Sequence, residues 1–250
     1  MTKGESVRER LTREVKELVL KSSASLVGVV SAEVYDSLPK VLVTWKVQEY
    51  SKRAFEVLPE AKSIVVFGYH VWDDMLELAI RKGDGWVYPG YFPLNVVVQT
   101  VRSHLEGMGF KTASAEGLSY KRLAQLAGFG CYGKNTLIIN PVFGPWIRFA
   151  AVLTDAELLT DEPFERDLCV GCEECVRACP VGALSPYKID VGKCLVGLRL
   201  LNRGGAEADE RFRLYEPSFT ENAHLMCMEC QKACRYGRNS HSSLFKRLQF

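Results

Sequence analysis

The chain of 250 residues is long enough for one large domain or two modest ones, and its 47% hydrophobic and 25% charged residues suit a globular protein with a real core. Lysine and arginine number 32 against 30 aspartates and glutamates, so no broad basic face for nucleic acid or anionic lipid is expected. No stretch approaches the ~20 apolar residues of a membrane span, and the charged, amphipathic N-terminus has neither an apolar signal core nor paired arginines, so a cytoplasmic protein is expected.

In chain order, residues 6–21 read as a helix. Val7, Leu11, Val15 and Leu18 recur at helical spacing, and Ser6 and Glu9 have the spacing of a capping box. SLVGVV (25–30) and VLVTW (41–45) are short β-rich runs. A short helix over 54–58 is closed by Pro59, and SIVVFGYHV (63–71) reads as a buried strand because its apolar run is continuous. Residues 95–108 read as a helix with Asn95 as cap and Gly109 as stop, and 119–127 as another. LIIN (137–140) and RFAAVLT (148–154) read as strands on either side of a turn around Pro141 and Gly144. DEPFERD (161–167) is polar and holds a proline, as linkers do. These elements predict an α+β domain over 1–160, a cysteine-rich domain over 161–240 and a tail over 241–250.

Eight of the nine cysteines fall between Cys169 and Cys234. Cys169, Cys172, Cys175 and Cys179, followed by Pro180, spell C-x2-C-x2-C-x3-C-P. This is the bacterial ferredoxin run, whose fourth cysteine serves a second cluster. Three thiolates two residues apart can wrap one cube, and the fourth points towards a neighbour. Cys227, Cys230 and Cys234 repeat the last three positions of the pattern, with His224 where the first would stand. Cys194 is the thiol left unclaimed. The predicted ligand sets for two four-iron four-sulfur (4Fe-4S) clusters are therefore Cys169, Cys172, Cys175 and Cys234, and Cys179, Cys194, Cys227 and Cys230, with His224 as a substitute ligand in the alternative. Structural zinc is the competing reading of paired C-x2-C motifs, but zinc ribbons need neither the third short step nor the trailing proline. Cys131 lies outside the array and reads as a small buried hydrophobe.

Gly128, Gly130 and Gly133 match G-x-G-x-x-G literally, yet a helix precedes and a strand follows, the reverse of a dinucleotide fingerprint. The loop is either a glycine-rich turn or a place where backbone closes on a flat cofactor, with Lys134 and Asn135 at its periphery. LAQLAGFGCYGKNTLIINP, FGPWIRFAAVLTDAEL, CVGCEECVRACP, DVGKC and CMECQKAC stand in the order found in epoxyqueuosine reductases. The same order resembles the catalytic core of reductive dehalogenases. The resemblance covers roughly residues 95–235 and rests chiefly on the GKNT loop and the cysteine spacing. It implies a domain related to the nitroreductase and cobalamin-trafficking fold holding a base-off corrinoid (cobalamin), beside a ferredoxin-like two-cluster module that reduces it. It also implies that Cys194, in DVGKC, is a cluster ligand.

This chain departs from the pattern in two places. Ser114 stands where epoxyqueuosine reductases carry the aspartate that donates a proton, so Glu116, Tyr120 and Tyr132 become the candidate acids. The sequence also ends soon after the last cluster cysteine, where those enzymes continue into a helical-repeat domain that helps hold tRNA. With the balanced charge, this argues against nucleic acid and for a small-molecule substrate. The absent export signal argues against respiratory dehalogenation. The resemblance thus implies a reductase fed by a reduced ferredoxin or flavodoxin-type donor. The alternatives are an electron-transfer or corrinoid-handling protein without substrate chemistry, and an FMN-dependent iron–sulfur reductase.

Overall fold

A computed structural model describes residues 5–43, 49–200 and 206–241. Helix α1 (Val7–Lys21) starts where the sequence places it. The Ser6 Oγ accepts the Glu9 N–H at 3.1 Å, and the Glu9 carboxylate accepts the Ser6 N–H at 2.7 Å. Ser6→Ala removes this cap, and a loss of about 1 kcal/mol is expected in denaturant unfolding.

Strand β1 (Leu26–Ser31), helices α2 (Ala32–Ser37) and α3 (Ala54–Val57) and strand β2 (Ser63–His70) follow. The VLVTW run contributes an isolated bridge between Leu42 and Tyr50, and its residues 44 and 45 lie outside the described residues. The hairpin β3 (Leu78–Lys82) and β4 (Gly85–Val87), unforeseen in the sequence, leads to α4 (Phe92–Gly107). That helix begins three residues before Asn95, because Pro93 sits in its first turn, where its fixed φ is helical and no N–H is needed. Next come β5 (Thr112–Ser114), α5 (Tyr120–Leu126), the small hairpin β6 (Cys131–Tyr132) and β7 (Ile138–Ile139), and β8 (Ile147–Thr154).

The central sheet has the order β1-β2-β8-β5, with every pair antiparallel. Alternate residues of β2 enter two separate cores. Ile64 and Val66 pack on one face with Tyr35, Ala54 and Leu123, while Val65 and Phe67 pack on the other with Val15, Val19, Val97 and Val101. Helices on both faces explain why β2 is a continuous apolar run in an antiparallel sheet, where one wet face is commoner.

The C-terminal region is built from short pieces: α6 (Glu174–Arg177), the hairpin β9 (Leu184–Ser185) and β10 (Lys188–Ile189), α7 (Leu195–Leu200), α8 (Ala206–Tyr215), β11 (Ser218–Thr220), β12 (Ala223–Leu225) and α9 (Glu229–Lys232). It is stitched to the rest. Strand β12 pairs with β3, giving a sheet of order β11-β12-β3-β4 that joins residues 78–87 to 218–225. The expected linker carries no helix or strand but is tied down. The Asp161 carboxylate takes the Lys16 Nζ at 2.6 Å and the Val29 N–H at 2.7 Å, and the Phe164 N–H reaches the Gln125 carbonyl at 2.9 Å. Of the expected tail, His241 is described and 242–250 lie outside the described residues. Among the described residues, no helix is long and apolar enough to cross a membrane.

Candidate iron–sulfur centre and adjoining cavity

The eight array cysteines gather into two groups. Burial pushes the Cys234 thiol up to about 11, helped by the neighbouring Cys169, Cys175 and Cys172. Cys175 is likewise raised by burial and then by Cys169 and Cys172. In the second group, burial pushes Cys227 up to about 12, with Glu216 and Cys194 adding to it. Cys230 is raised well above the ordinary thiol by burial and then by Cys227, Cys194, Cys179 and Cys175. The last of these neighbours belongs to the first group, so the groups adjoin. Thiols raised in this way, Cys175 and Cys234 in one group and Cys194, Cys227 and Cys230 in the other, resist ionisation, and a bound metal centre would draw off their protons. A soft, all-sulfur donor set of this kind suits iron–sulfur cubes.

Backbone N–H groups are aimed at these sulfurs. Val196 and Gly197, at the start of α7, serve Cys194, Glu229 serves Cys227 and Tyr236 serves Cys234. Such donors set cluster potentials. Behind the second group lies a buried polar network. Glu216 accepts the Cys227 N–H at 3.1 Å through one carboxylate oxygen and the Arg199 Nε at 2.6 Å through the other. His224 belongs to this network: its Nε2 lies 3.7 Å from Glu216, and its ring meets the Trp86 edge at 5.1 Å. Burial and the Arg199 charge push His224 down to about 4. Because the folded value lies below the ordinary 6.5, stability is present above pH 6.5 and is lost as pH falls towards 4. Going from pH 7 to pH 5 is expected to cost about 2 kcal/mol in the wild type and less in His224→Gln, read from urea midpoints.

The glycine loop packs against its own chain. Gly128 sits at φ +78° after α5, and the N–H groups of Gly128 and Phe129 return to the Gln125 and Ala124 carbonyls, which is a Schellman stop. A Cβ at Gly130 would fall 2.2 Å from the Ile139 carbonyl oxygen, and one at Gly133 2.5 Å from the Ile139 side chain. The close approach is therefore to β7, which gives all three glycines a structural reason. Lys134 and Asn135 face the cysteine array. The Lys134 ammonium lies 3.6 Å from Glu173 and its backbone N–H serves Cys169, while the Asn135 amide donates to the Cys230 carbonyl at 3.4 Å. Cys131 is buried but not idle: its sulfur accepts the Leu168 N–H at 3.3 Å and lies within 4.8 Å of Cys169 and Asp167.

The FGPW turn explains its own composition. Gly144, at φ +58°, lies against the backbone just past Cys234, where a Cβ would be 2.1 Å from the Tyr236 carbonyl oxygen. Trp146 stacks on His241, centroids 3.5 Å apart, and His241 is held by the Val71 carbonyl at 2.7 Å and Asp74 at 2.6 Å. Gly144→Ala is expected to destabilise the protein by about 2 kcal/mol or more and to loosen the first cysteine group, seen as faster loss of cluster absorbance in mild denaturant.

A cavity of ≈ 260 Å³ lies around Lys121, within electrostatic reach of Cys230. Leu118, Leu137, Ile138, Ile147 and Phe149 give it apolar walls, and Tyr120, Lys121 and Arg148 give it polar ones. Leu42 and Tyr91, both exposed, also line it. Arg148 pairs with the fully buried Glu77. Burial, then the Arg148 charge, pushes Lys121 down to about 8, and Cys230 acts on it in the opposite direction. Of the three candidate acids, Tyr120 lines this cavity, and burial raises it to about 12. Tyr132 stands 6.0 Å beneath the Lys121 ammonium, outside the lining, and Glu116 is on an exposed loop. Sequence reasoning missed Lys121, Arg148 and Glu77. Arg148 stood inside the quoted FGPWIR segment, and Glu77 was the one acid in an apolar run, but nothing set Lys121 apart.

Fold and site together define a mixed α/β protein with an iron–sulfur module. The 4Fe-4S binding domain family matches residues 162–185. An epoxyqueuosine reductase of Listeria monocytogenes is 35% identical over 122 residues, 48% of this chain and 30% of that one. Those of Cyclobacterium marinum and Escherichia coli are 26% and 24% identical over 94% and 92% of this chain, and 82% and 66% of theirs. The matched stretch is about a third of the length of the first of these relatives. A solved epoxyqueuosine reductase with an epoxyqueuosine-modified tRNA-Tyr stem loop superposes with a TM-score of 0.71 at 23% identity, over 93% of this chain and 67% of that one. A catabolic reductive dehalogenase superposes with a TM-score of 0.66 at 21% identity, over 95% and 33%. The chain is thus similar in sequence to epoxyqueuosine reductases and shares the fold of the solved epoxyqueuosine reductases and reductive dehalogenases.

Proposed function

We propose that this chain is an iron–sulfur reductase that passes electrons singly through two 4Fe-4S clusters to a substrate held in the cavity beside Lys121. The observation that carries this reading is the gathering of the eight thiols into two adjoining groups, the second of which acts electrostatically on Lys121 in the cavity lining. Cys169, Cys172, Cys175 and Cys234 would hold one cluster, and Cys179, Cys194, Cys227 and Cys230 the other. The module spans residues 161–240 and leans on the α+β part through β3 and β12. The clusters supply one-electron steps. The protein's own residues do the rest: apolar walls exclude water, Arg148 is fixed by Glu77, and Tyr120, neutral at ordinary pH, holds a proton at the cavity wall.

In the finer reading the terminal acceptor is a base-off corrinoid in a nitroreductase-like domain. It is supported by likeness to the reductive dehalogenases, one of which is described through B12-dependent dehalogenation. The cavity does not by itself enclose that group: it is smaller than the pockets that hold drug-sized ligands, and a corrinoid is larger still. No step is therefore derived through it. Balanced charge argued against nucleic acid, yet a relative of this fold is described with a tRNA stem loop. An RNA substrate thus stands beside a small molecule as a class to be tested.

Anaerobic isolation with cobalamin available tests the reading. Iron and sulfide at about eight each per chain are expected from two cubes, with cob(II)alamin bands that bleach on reduction. Yellow flavin bands would transfer the acceptor role to FMN. Clusters with no second chromophore would leave an electron carrier, and zinc in place of iron would end the proposal.

A further inference from the structure

The two charged groups lining the cavity are not equivalent. Arg148 is matched by Glu77, whose side chain is fully buried, so that pair is neutral overall. Lys121 has no carboxylate within ion-pair distance among the described residues. Its ammonium stands 6.0 Å over the Tyr132 ring, an arrangement that steadies a cation without neutralising it. A partly buried ammonium with no carboxylate beside it, and only the Cys230 sulfur acting in its favour, is costly to hold charged, and the cost falls when an anion takes the place next to it. The rest of the lining selects what kind of anion. Leu137, Ile138, Ile147 and Phe149 ask for an organic body, and Ser119 and Tyr120 offer hydroxyl donors.

We infer that the cavity takes a small organic anion, in the simplest case a monocarboxylate, and that the Lys121 ammonium receives its charge. The inference rests on the cavity being the substrate pocket of the proposed reductase and adds the class of substrate. Lys121 then acts as the binding residue and Arg148, held by Glu77, as a fixed wall. The volume of ≈ 260 Å³ suits one small ring or a short chain.

Direct binding to the anaerobically prepared, cluster-loaded protein tests this without turnover. Benzoate is the probe, and benzamide, its neutral counterpart of the same shape, is the control. Benzoate is expected to bind the wild type at least about tenfold tighter than benzamide. Lys121→Met should remove that preference while leaving iron content and benzamide binding unchanged, and Lys121→Arg should retain it. Equal affinity for the two probes, no benzoate binding, or undiminished benzoate binding by Lys121→Met would overturn the inference. A shift in cluster midpoint potential in Lys121→Met with benzoate binding intact would also overturn it, assigning the ammonium to the neighbouring Cys230 centre instead. The cobalamin spectrum and this binding measurement are independent, so failure of the reductase reading and failure of the anion site are told apart.

Discussion

If two cubes are bound as proposed, Cys234→Ala and Cys194→Ala, each isolated anaerobically, are expected to hold about four irons per chain against about eight expected for the wild type. Each substitution strikes a different group. Cys234 neighbours Cys169, Cys172 and Cys175, and Cys194 neighbours Cys179, Cys227 and Cys230. The residual cluster should therefore differ between the variants, and their electron paramagnetic resonance spectra after reduction should sum to that of the wild type. Full iron in Cys194→Ala would show that another residue closes the second cage. Folding should suffer in both variants, because the region that carries the cysteines has only short helices and strands, and bound metal is folding free energy where structure is sparse.

The second large effect is expected at Arg199. Arg199→Met leaves the Glu216 carboxylate, wholly buried, without its cation, a change that costs about 3–5 kcal/mol when a buried pair is broken on one side. The guanidinium also lies 4.3 Å over the Phe212 ring, so packing is lost with charge. Burial already raises the Glu216 carboxyl and Arg199 opposes that rise. Without Arg199 the folded-state value climbs further above the unfolded 4.5. Stability is then retained near and below pH 4.5 and lost as pH rises, so the deficit should be largest at neutral pH and shrink on acidification. Urea midpoints at pH 5 and pH 7 read this directly. Arg199→Met with Glu216→Gln should recover part of the loss, since a neutral amide needs no counter-ion and can still accept the Cys227 N–H.

The local rules that made parts of the fold legible are visible in single residues. Ser6 and Glu9 placed the first helix, Gly109 its later counterpart's stop, and the unbroken run at 64–67 a strand covered on both sides. Asn95 misled because Pro93 opened the helix earlier. The hairpin at 78–87 was missed because its partner strand, residues 223–225, lies far along the chain and no local pattern announces the pairing. Short steps between ligands are a local property, so spacing supplied the two expected cysteine runs, whereas Cys194 entered only as the unclaimed thiol and through the resemblance. The cavity was illegible for the opposite reason. Tyr120, Lys121 and Arg148 meet through α5 and β8, and only packing puts them side by side. The glycine loop looked like a ligand cradle because glycine serves any tight approach, and here Ile139 is what approaches.

The shared sheet of order β11-β12-β3-β4 also governs how the molecule can be made. During synthesis residues 78–82 leave the ribosome long before 223–225, and until then β3 has a bare edge of the sort that recruits stray strands. A chain stopped after the linker would keep that edge permanently, so truncation should yield a sticky fragment and not a tidy apo-domain. Completion of the sheet at residues 78–87 thus waits on the late strand that stands just before the second cysteine run, so maturation of one part is tied to the other.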